Sequence, residues 1–256
     1  MLFQKKIVVI GGTSGIGLSA AQAFVRQGAM VTALGKDGPV SMRALEVLGK
    51  NAHVLTADAT EEGSAEAAIA KCLERFDGFD GLYHVAGGSG RRQGDGPLDM
   101  LTLEAWEYTL QLNLTSVMLS NRAAVRTFLQ LGKGGAILNL GSALAYAPAP
   151  QHFATHAYAA AKAAIIGFTQ SIAAYYAGEN IRANVLAPGL VDTPMSQRAV
   201  QDEKIMQYVR QRQRLDGGRA ALPQDLDGAA SLLLSDAGVF ITGQVVAVDG
   251  GWGLGA

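Results

Sequence analysis

The 256-residue sequence predicts an α/β fold, a doubly wound parallel sheet of seven strands with helices on both faces. Short β-branched runs alternate with longer Ala/Leu-rich segments from one end of the chain to the other, as repeated βαβ units require. The first such run passes directly into a glycine-rich turn and then a helix. No apolar run reaches the ~18 residues needed to span a bilayer, so the 49% hydrophobic content is core material. Residues 1–256 read as one domain, long enough to bury a sizeable core.

In chain order, Ile7–Ile10 is the first strand and Ile16–Gln27 the Ala-rich helix after the glycine turn. Met30–Leu34 and His53–Thr56 are the next strands, separated by a helix over Val40–Leu48. Ser64–Phe76 is a helix containing Cys72, the only cysteine, which excludes an intrachain disulfide and any multi-cysteine metal site. Without a basic neighbour motif, Cys72 reads as a structural thiol, and no metal is expected. Gly81–Val85 is the fourth strand. Leu103–Leu131 is a long helical stretch interrupted in character by Asn113, because asparagine is unfavourable inside helices and competes for backbone groups. Ala136–Leu140 reads as a buried strand, Ala157–Ala177 as a helix, Arg182–Leu186 as a strand, Asp225–Leu234 as a helix and Gln244–Val248 as the closing strand. Ligands belong at the carboxyl ends of such strands.

One segment breaks the rhythm. From Val191 to Pro223 the chain is polar and arginine-rich, which fits either a solvated face or a lid over the substrate, about 191–223. The net charge of −1 offers no field for nucleic acid or an anionic membrane, and neither is an expected partner. The N-terminal apolar run is too short for a signal-peptide core, so a cytoplasmic location is expected.

Glycine is abundant, 32 of 256 residues against roughly 7% in average proteins. In Gly11-Gly12-Thr13-Ser14-Gly15-Ile16-Gly17, Gly11 permits a tight turn, Gly15 lets the backbone approach a pyrophosphate, and Gly17 lets the helix pack close to the strand. Free amides at the helix start, at the positive end of its dipole, would face phosphates. Downstream, Tyr158-Ala-Ala-Ala-Lys162 places a phenol and an ammonium on one helix face. An unperturbed phenol has a pKa near ~10 and is a poor base at neutral pH, whereas a nearby cation favours phenolate. Alone, Tyr-x3-Lys is common and reads first as a surface i,i+4 pair. Ser142, after a buried strand, can donate a hydrogen bond to a carbonyl oxygen that becomes alkoxide-like, or be an ordinary turn serine.

The Gly-x3-Gly-x-Gly spacing, with Asn113, Ser142, Tyr158 and Lys162 in that order, resembles the short-chain dehydrogenase/reductase family and its Rossmann-type fold, although Ile10 stands where the family usually has Thr. The resemblance implies an NAD(P)(H)-dependent oxidoreductase passing a hydride between nicotinamide and a carbonyl or secondary alcohol. It makes Tyr158 the general acid/base and has Lys162 lower its pKa and bind the nicotinamide ribose. Ser142 orients the substrate, and Asn113 supports a proton relay, with a local kink holding a water beside Lys162. Cofactor contacts implied are Gly11, Thr13, Ser14, Gly15, Ile16 and Gly17 of the turn, Asp58 at the adenine edge, Ala86 and Gly87, the tetrad members Asn113, Tyr158 and Lys162, and Pro188, Gly189, Val191 and Thr193 of the Pro-Gly-x3-Thr turn. Val248-Asp-Gly-Gly251 matches the closing strand and turn. His84 occupies the place of the family's first Asn in Asn-Asn-Ala-Gly, so that Asn's strand-steadying role does not carry over.

Ser142 lies a few positions farther from Tyr158 than is usual, so the loop Ala143–His156 gives the pocket a different wall, in which His152 and His156 are wall or structural residues. Gly35 sits where an acid would select NAD, and Lys36 follows it, which favours NADP(H) over NAD(H). Asp37 is the counterweight if it points inward. The helix Ala157–Ala177 is apolar or small around most of its circumference, so a partner subunit is expected, in a homotetramer or homodimer. The motifs lie nearest the bacterial oxoacyl-carrier-protein reductase branch, but the uncharged helix end Ala173–Gly178 counts against an acidic carrier protein. Arg91, Arg92 and the arginines of 210–219 are either anion-binding or solvated. The alternatives to an active enzyme are a non-catalytic dinucleotide-binding sensor on the same fold and another Rossmann enzyme, such as a methyltransferase, which should lack these signatures.

Overall fold

Successive side chains of a strand point to opposite faces, and here both faces are apolar, so each strand must be covered twice. The computed structural model, which describes residues 1–254, shows how. Seven strands, β1 (Lys6–Ile10), β2 (Met30–Gly35), β3 (Ala52–Thr56), β4 (Gly81–His84), β5 (Gly135–Leu140), β6 (Ile181–Pro188) and β7 (Val245–Val248), form one sheet in the order β3-β2-β1-β4-β5-β6-β7. All of the pairings are parallel.

Among the described residues nine α-helices connect the strands: α1 (Gly15–Arg26), α2 (Gly38–Leu48), α3 (Ser64–Phe76), α4 (Leu103–Leu110), α5 (Ser116–Leu131), α6 (His156–Tyr176), α7 (Gln197–Val200), α8 (Glu203–Arg212) and α9 (Asp227–Leu234). Ile7, Val9, Val31 and Leu138 pack with Phe24 of α1 and Leu233 of α9 on one face. Val8, Ile10, Leu82 and Ile137 pack with Ile69 of α3, Phe128 of α5 and Ile172 of α6 on the other. Cys72 is buried in this second core, where desolvation raises its thiol to about 11, as a structural thiol requires. Among the described residues no helix is long and apolar enough to cross a membrane.

The strand order reverses beside β1, where β1→β2→β3 runs one way and β4 returns to the other side of β1. That switch point opens a crevice at the carboxyl ends of β1 and β4, the place where doubly wound sheets bind ligands.

The expected single helix over 103–131 is divided. Residues Gln111–Thr115 form a π-helical turn between α4 and α5, with Asn113 buried inside it. The asparagine correctly marks the break. It takes this form because the side chain leaves the helix register to bind Gly88, and the extra residue per turn makes room for it.

Candidate active site

The glycine turn has the close approaches expected of a phosphate cradle. A Cβ on Gly11 would lie 2.6 Å from the Ala86 nitrogen, one on Gly17 would lie 2.0 Å from the Gly11 carbonyl oxygen, and Gly15 has φ +50°. The first helical backbone bond of α1 runs from Leu18 N to Ser14 O, and the amides of the first turn precede it. A Cβ on Gly15 would touch Thr193 at 3.4 Å, so the turn after β6 closes over the turn after β1. Gly11, Thr13, Ser14, Gly15, Ile16, Gly17, Ala86, Gly87, Pro188, Gly189, Val191 and Thr193 thus lie along the carboxyl ends of β1, β4 and β6. This cradle of backbone amides, with no side chain to fill it, fits a dinucleotide.

At the outer edge of that surface, Lys36 pairs with Asp58 at 2.6 Å. Asp37 turns the other way and caps α2, accepting from Val40 N at 2.9 Å. Gly35 is sterically required, since a Cβ there would lie 2.0 Å from the Thr13 hydroxyl oxygen. Asp58 Oδ1 also accepts from the Thr60 amide and hydroxyl, at 2.9 and 2.8 Å. Together with Lys36 these contacts outweigh its desolvation and hold its carboxyl below the usual range.

Deeper in the crevice, α6 presents Tyr158 and Lys162 beside the end of β5. Lys162 is 3% exposed and donates to the Leu140 carbonyl at 2.8 Å. Burial lowers its pKa to about 8. Its ammonium lies 5.6 Å from the Tyr158 ring centroid. Burial pushes the Tyr158 phenol up to about 12, and the hydrogen-bonding Ser142 hydroxyl pulls in the opposite direction. The expected lowering by Lys162 is therefore not what this geometry produces. The ammonium sits over the ring and spends a proton on backbone, while desolvation of the phenol prevails.

Asn113 joins the group from the π-turn. Its Oδ1 accepts from Gly88 N at 3.0 Å, and its Nδ2 donates to Gly88 O and Thr109 O at 2.9 and 3.0 Å. A Cβ on Gly87 would meet both Asn113 Oδ1 at 2.7 Å and Lys162 Nζ at 3.7 Å, which places the three together. The side chain's bonds all go to backbone, so it fixes the strand-end loop against the helix.

Two residues with structural weight at the site, Asp95 and Arg198, carry no sequence signal, and a third, His84, is not expected from sequence to keep the role of the Asn it replaces. Asp95, 3% exposed, caps α6 from a distant loop. It accepts from Ala157 N and Tyr158 N at 3.0 Å each and from the Thr155 hydroxyl. His84 takes over a steadying role after all: its Nδ1 meets the Ser120 hydroxyl at 2.7 Å and its Nε2 meets the Ala86 carbonyl at 3.1 Å. Burial and the Lys162 charge lower it to about 3, so it is a neutral imidazole. Arg198 lines the cleft next to Arg91.

The cleft is walled by Leu144, Phe153, Leu190, Met195 and Trp252. The His152 ring lies 5.1 Å from that of Tyr208, and the Trp252 indole donates to the Ala147 carbonyl at 3.1 Å. His156 is exposed at the first position of α6. Arg210 pairs with Glu203, and Arg219 with Asp216 and Asp225, so these two cations are engaged at the surface. Among the described residues no cluster of His, Cys, Asp or Glu is arranged to hold a metal ion.

Comparison with known proteins places the chain among enzymes. The family model described as enoyl-(acyl carrier protein) reductase matches residues 11–253. The chain is 32% identical over 249 residues to the 2,5-dichloro-2,5-cyclohexadiene-1,4-diol dehydrogenase of Sphingobium indicum, covering 97% of this chain and 96% of that one. A short-chain type dehydrogenase/reductase from Mycobacterium ulcerans superposes with a TM-score of 0.91 at 29% identity, over 99% of this chain and 92% of that one. The 3-ketoacyl-(acyl-carrier-protein) reductase from Brucella melitensis complexed with NADH superposes at 0.87, with 26% identity over 99% and 100% of the two chains.

Proposed function

The chain belongs to the short-chain dehydrogenase/reductase family, oxidoreductases that act on alcohols and carbonyls with a nicotinamide dinucleotide, and from that premise we propose that Tyr158 is its general acid/base. The observation that carries this is the convergence of Tyr158 and Lys162 of α6, Ser142 after β5 and Asn113 of the π-turn, three separate segments, at one end of the sheet. A phenol held at about 12 is protonated at neutral pH, ready to give its proton to the oxygen of a carbonyl being reduced. Ser142 donates to the same oxygen and stabilises it as charge develops. In the oxidative direction the phenolate form of Tyr158 takes the substrate's hydroxyl proton, and the positive charge that an oxidised nicotinamide would add beside the phenol favours that form. Lys162 and Tyr158 also bind the nicotinamide ribose, and Asn113 anchors the relay that returns protons to solvent. A bound nicotinamide dinucleotide supplies or accepts the hydride.

NADP(H) is the preferred cofactor in this reading. Asp37 is occupied as the α2 cap and no longer weighs against it, Gly35 leaves no acid at the ribose position, and Lys36 is exposed there. Asp58 then lies between the adenine edge and Lys36. Segment 191–223 acts as a lid on a single domain: Ile205 and Val209 of α8 pack on Ala147, Ala149 and Trp252 rather than facing water. The functional unit is a homotetramer or homodimer, because α6 exposes Ala163, Ala164, Gly167, Ala174 and Tyr175, with no charge among them. Substrates are small carbonyls or secondary alcohols.

Absorbance at 340 nm with NADPH or NADH and a panel of ketones tests the assignment. Tyr158→Phe should lower kcat by about 10²–10⁴-fold while the protein stays folded. Full activity in that variant refutes the role.

A further inference from the structure

Arg91 and Arg198 come from distant segments, the loop after β4 and the short helix α7, yet both line the same cleft as Tyr158 and Ser142. Elsewhere that cleft is almost entirely apolar or hydroxyl-bearing. Arg91 is partly buried, and its Nη2 donates to the His152 and Ala154 carbonyls at 3.3 and 3.2 Å. This fixes the guanidinium against the wall loop and leaves its other N–H groups without an acceptor among the described residues. Among the described residues, the arginines in ion pairs are Arg122, Arg210 and Arg219, and neither cleft arginine is one of them. The acid nearest to Arg91 in its effect, Asp95, is buried and spends its oxygens on Thr155 and the start of α6. Arg91 also feels the positive charge of Arg198, which together with burial lowers its pKa. Two unpaired cations beside an apolar cavity repel each other until an anion sits between them.

We propose that Arg91 and Arg198 form a carboxylate-binding subsite, so that the substrate is a small hydroxy or oxo acid. Its apolar body lies along Leu144, Phe153 and Trp252, and its reacting carbon sits at Tyr158. This rests on the oxidoreductase reading above for the position of the reacting carbon, but the carboxylate subsite itself can be tested without turnover. Guanidinium suits the task because its planar fork matches a carboxylate and makes charge-assisted hydrogen bonds to it.

The test is calorimetric titration of the protein saturated with NADP⁺, so that cofactor phosphates do not compete. The probes are cyclohexanecarboxylate and its neutral counterpart cyclohexanemethanol. The carboxylate should bind at least about tenfold more tightly than the alcohol, the scale of one hydrogen bond to a charged group. Arg198→Gln, at an exposed position, should remove most of that preference, and Arg91→Gln should do the same. Equal affinity for the two probes overturns the proposal, as does a preference that survives Arg198→Gln. Failure of the oxidoreductase reading is seen separately, as no change in absorbance at 340 nm when the wild-type protein meets the ketone panel with NADPH or NADH, and failure of the Tyr158 role as retained ketone reduction in Tyr158→Phe.

Discussion

Asp95→Asn isolates how the catalytic helix is held. The carboxylate serves three donors, Ala157 N, Tyr158 N and the Thr155 hydroxyl, at a site 3% exposed to water. In the amide, one oxygen becomes an NH₂ group. Thr155 can rotate its hydroxyl to accept from it, but a backbone amide cannot reverse, so either Ala157 N or Tyr158 N is left facing a donor. One buried unsatisfied amide costs about 1–3 kcal/mol, and losing the negative charge at the start of a helix of this length costs about 0.3–2 kcal/mol more. A destabilisation of about 2–4 kcal/mol should appear in urea unfolding as a lower midpoint at unchanged slope. Because one of the two amides belongs to Tyr158 itself, the phenol is displaced along with the backbone. A misplacement of about 1 Å costs up to ~10²-fold in rate, so kcat should fall about tenfold or more at a temperature where the variant is fully folded. NADP⁺ affinity should fall less than kcat, since Asp95 contacts none of the glycine turn and only the Tyr158 contact to the ribose is disturbed. Thr155→Val is the internal control: it removes one hydroxyl bond, leaves both amides paired, and should cost only about 1 kcal/mol. An Asp95→Asn protein with wild-type midpoint and wild-type kcat refutes the positioning argument.

Lys36→Ala should weaken NADP⁺ binding about tenfold relative to NAD⁺, as loss of a charge-assisted phosphate contact implies, and fluorescence titration with both cofactors decides it, unchanged discrimination removing the NADP preference. His84, held neutral with its pKa at about 3, binds fewer protons than the unfolded chain between that value and ~6.5, so its contribution to stability is complete above ~6.5 and is lost as pH falls through that window. Urea midpoints should show wild type losing about 2 kcal/mol more than His84→Asn between pH 7 and pH 5, and equal losses refute the assignment. Light scattering at micromolar concentration should give a dimer or tetramer, and a monomer removes the reading of the exposed α6 face.

What the sequence made legible, and what it did not, follows a physical division. Ile7–Ile10 and Ala136–Leu140 announce themselves because a strand buried on both faces needs an unbroken apolar run. The matching helix limits at Ser64–Phe76 follow from the same contrast between apolar segment and polar turn. Tyr158 and Lys162 share a helix face, so their spacing carries their geometry. Asp95 had no such signal: it lies between two glycines in what reads as a turn, and its partners are 60 or more positions away. The Asn113 break was visible as an unfavourable residue, but not its form, since the π-turn depends on Gly88 being within reach. His84 looked like a lost asparagine. A neutral imidazole carries one donor and one acceptor, as an amide does, and that equivalence appears only once Ser120 and the Ala86 carbonyl are seen on opposite sides of the ring.

The lengthened loop between Ser142 and Tyr158 bears most directly on substrate choice. Its extra residues place Ala147, Ala149 and Phe153 under Trp252, with rings of Phe153 and Trp252 5.9 Å apart edge to face. Tyr208 of α8 packs against the other partners, 5.9 Å from Trp252 and 5.1 Å from His152. Each such aromatic contact is worth about 0.5–1.5 kcal/mol beyond its buried area. A lid movement of α8 therefore separates at least Tyr208 from two rings, an opening cost of a few kcal/mol that a substrate recovers only by filling the apolar wall as the lid returns. Arg198 lies on α7, within the proposed lid, whereas Arg91 is tied to the loop through the His152 and Ala154 carbonyls. If 191–223 is a lid, an anion bridging the two arginines would join the lid to the wall loop, and binding the acid end of a substrate and closing the cleft over its apolar body would become one event.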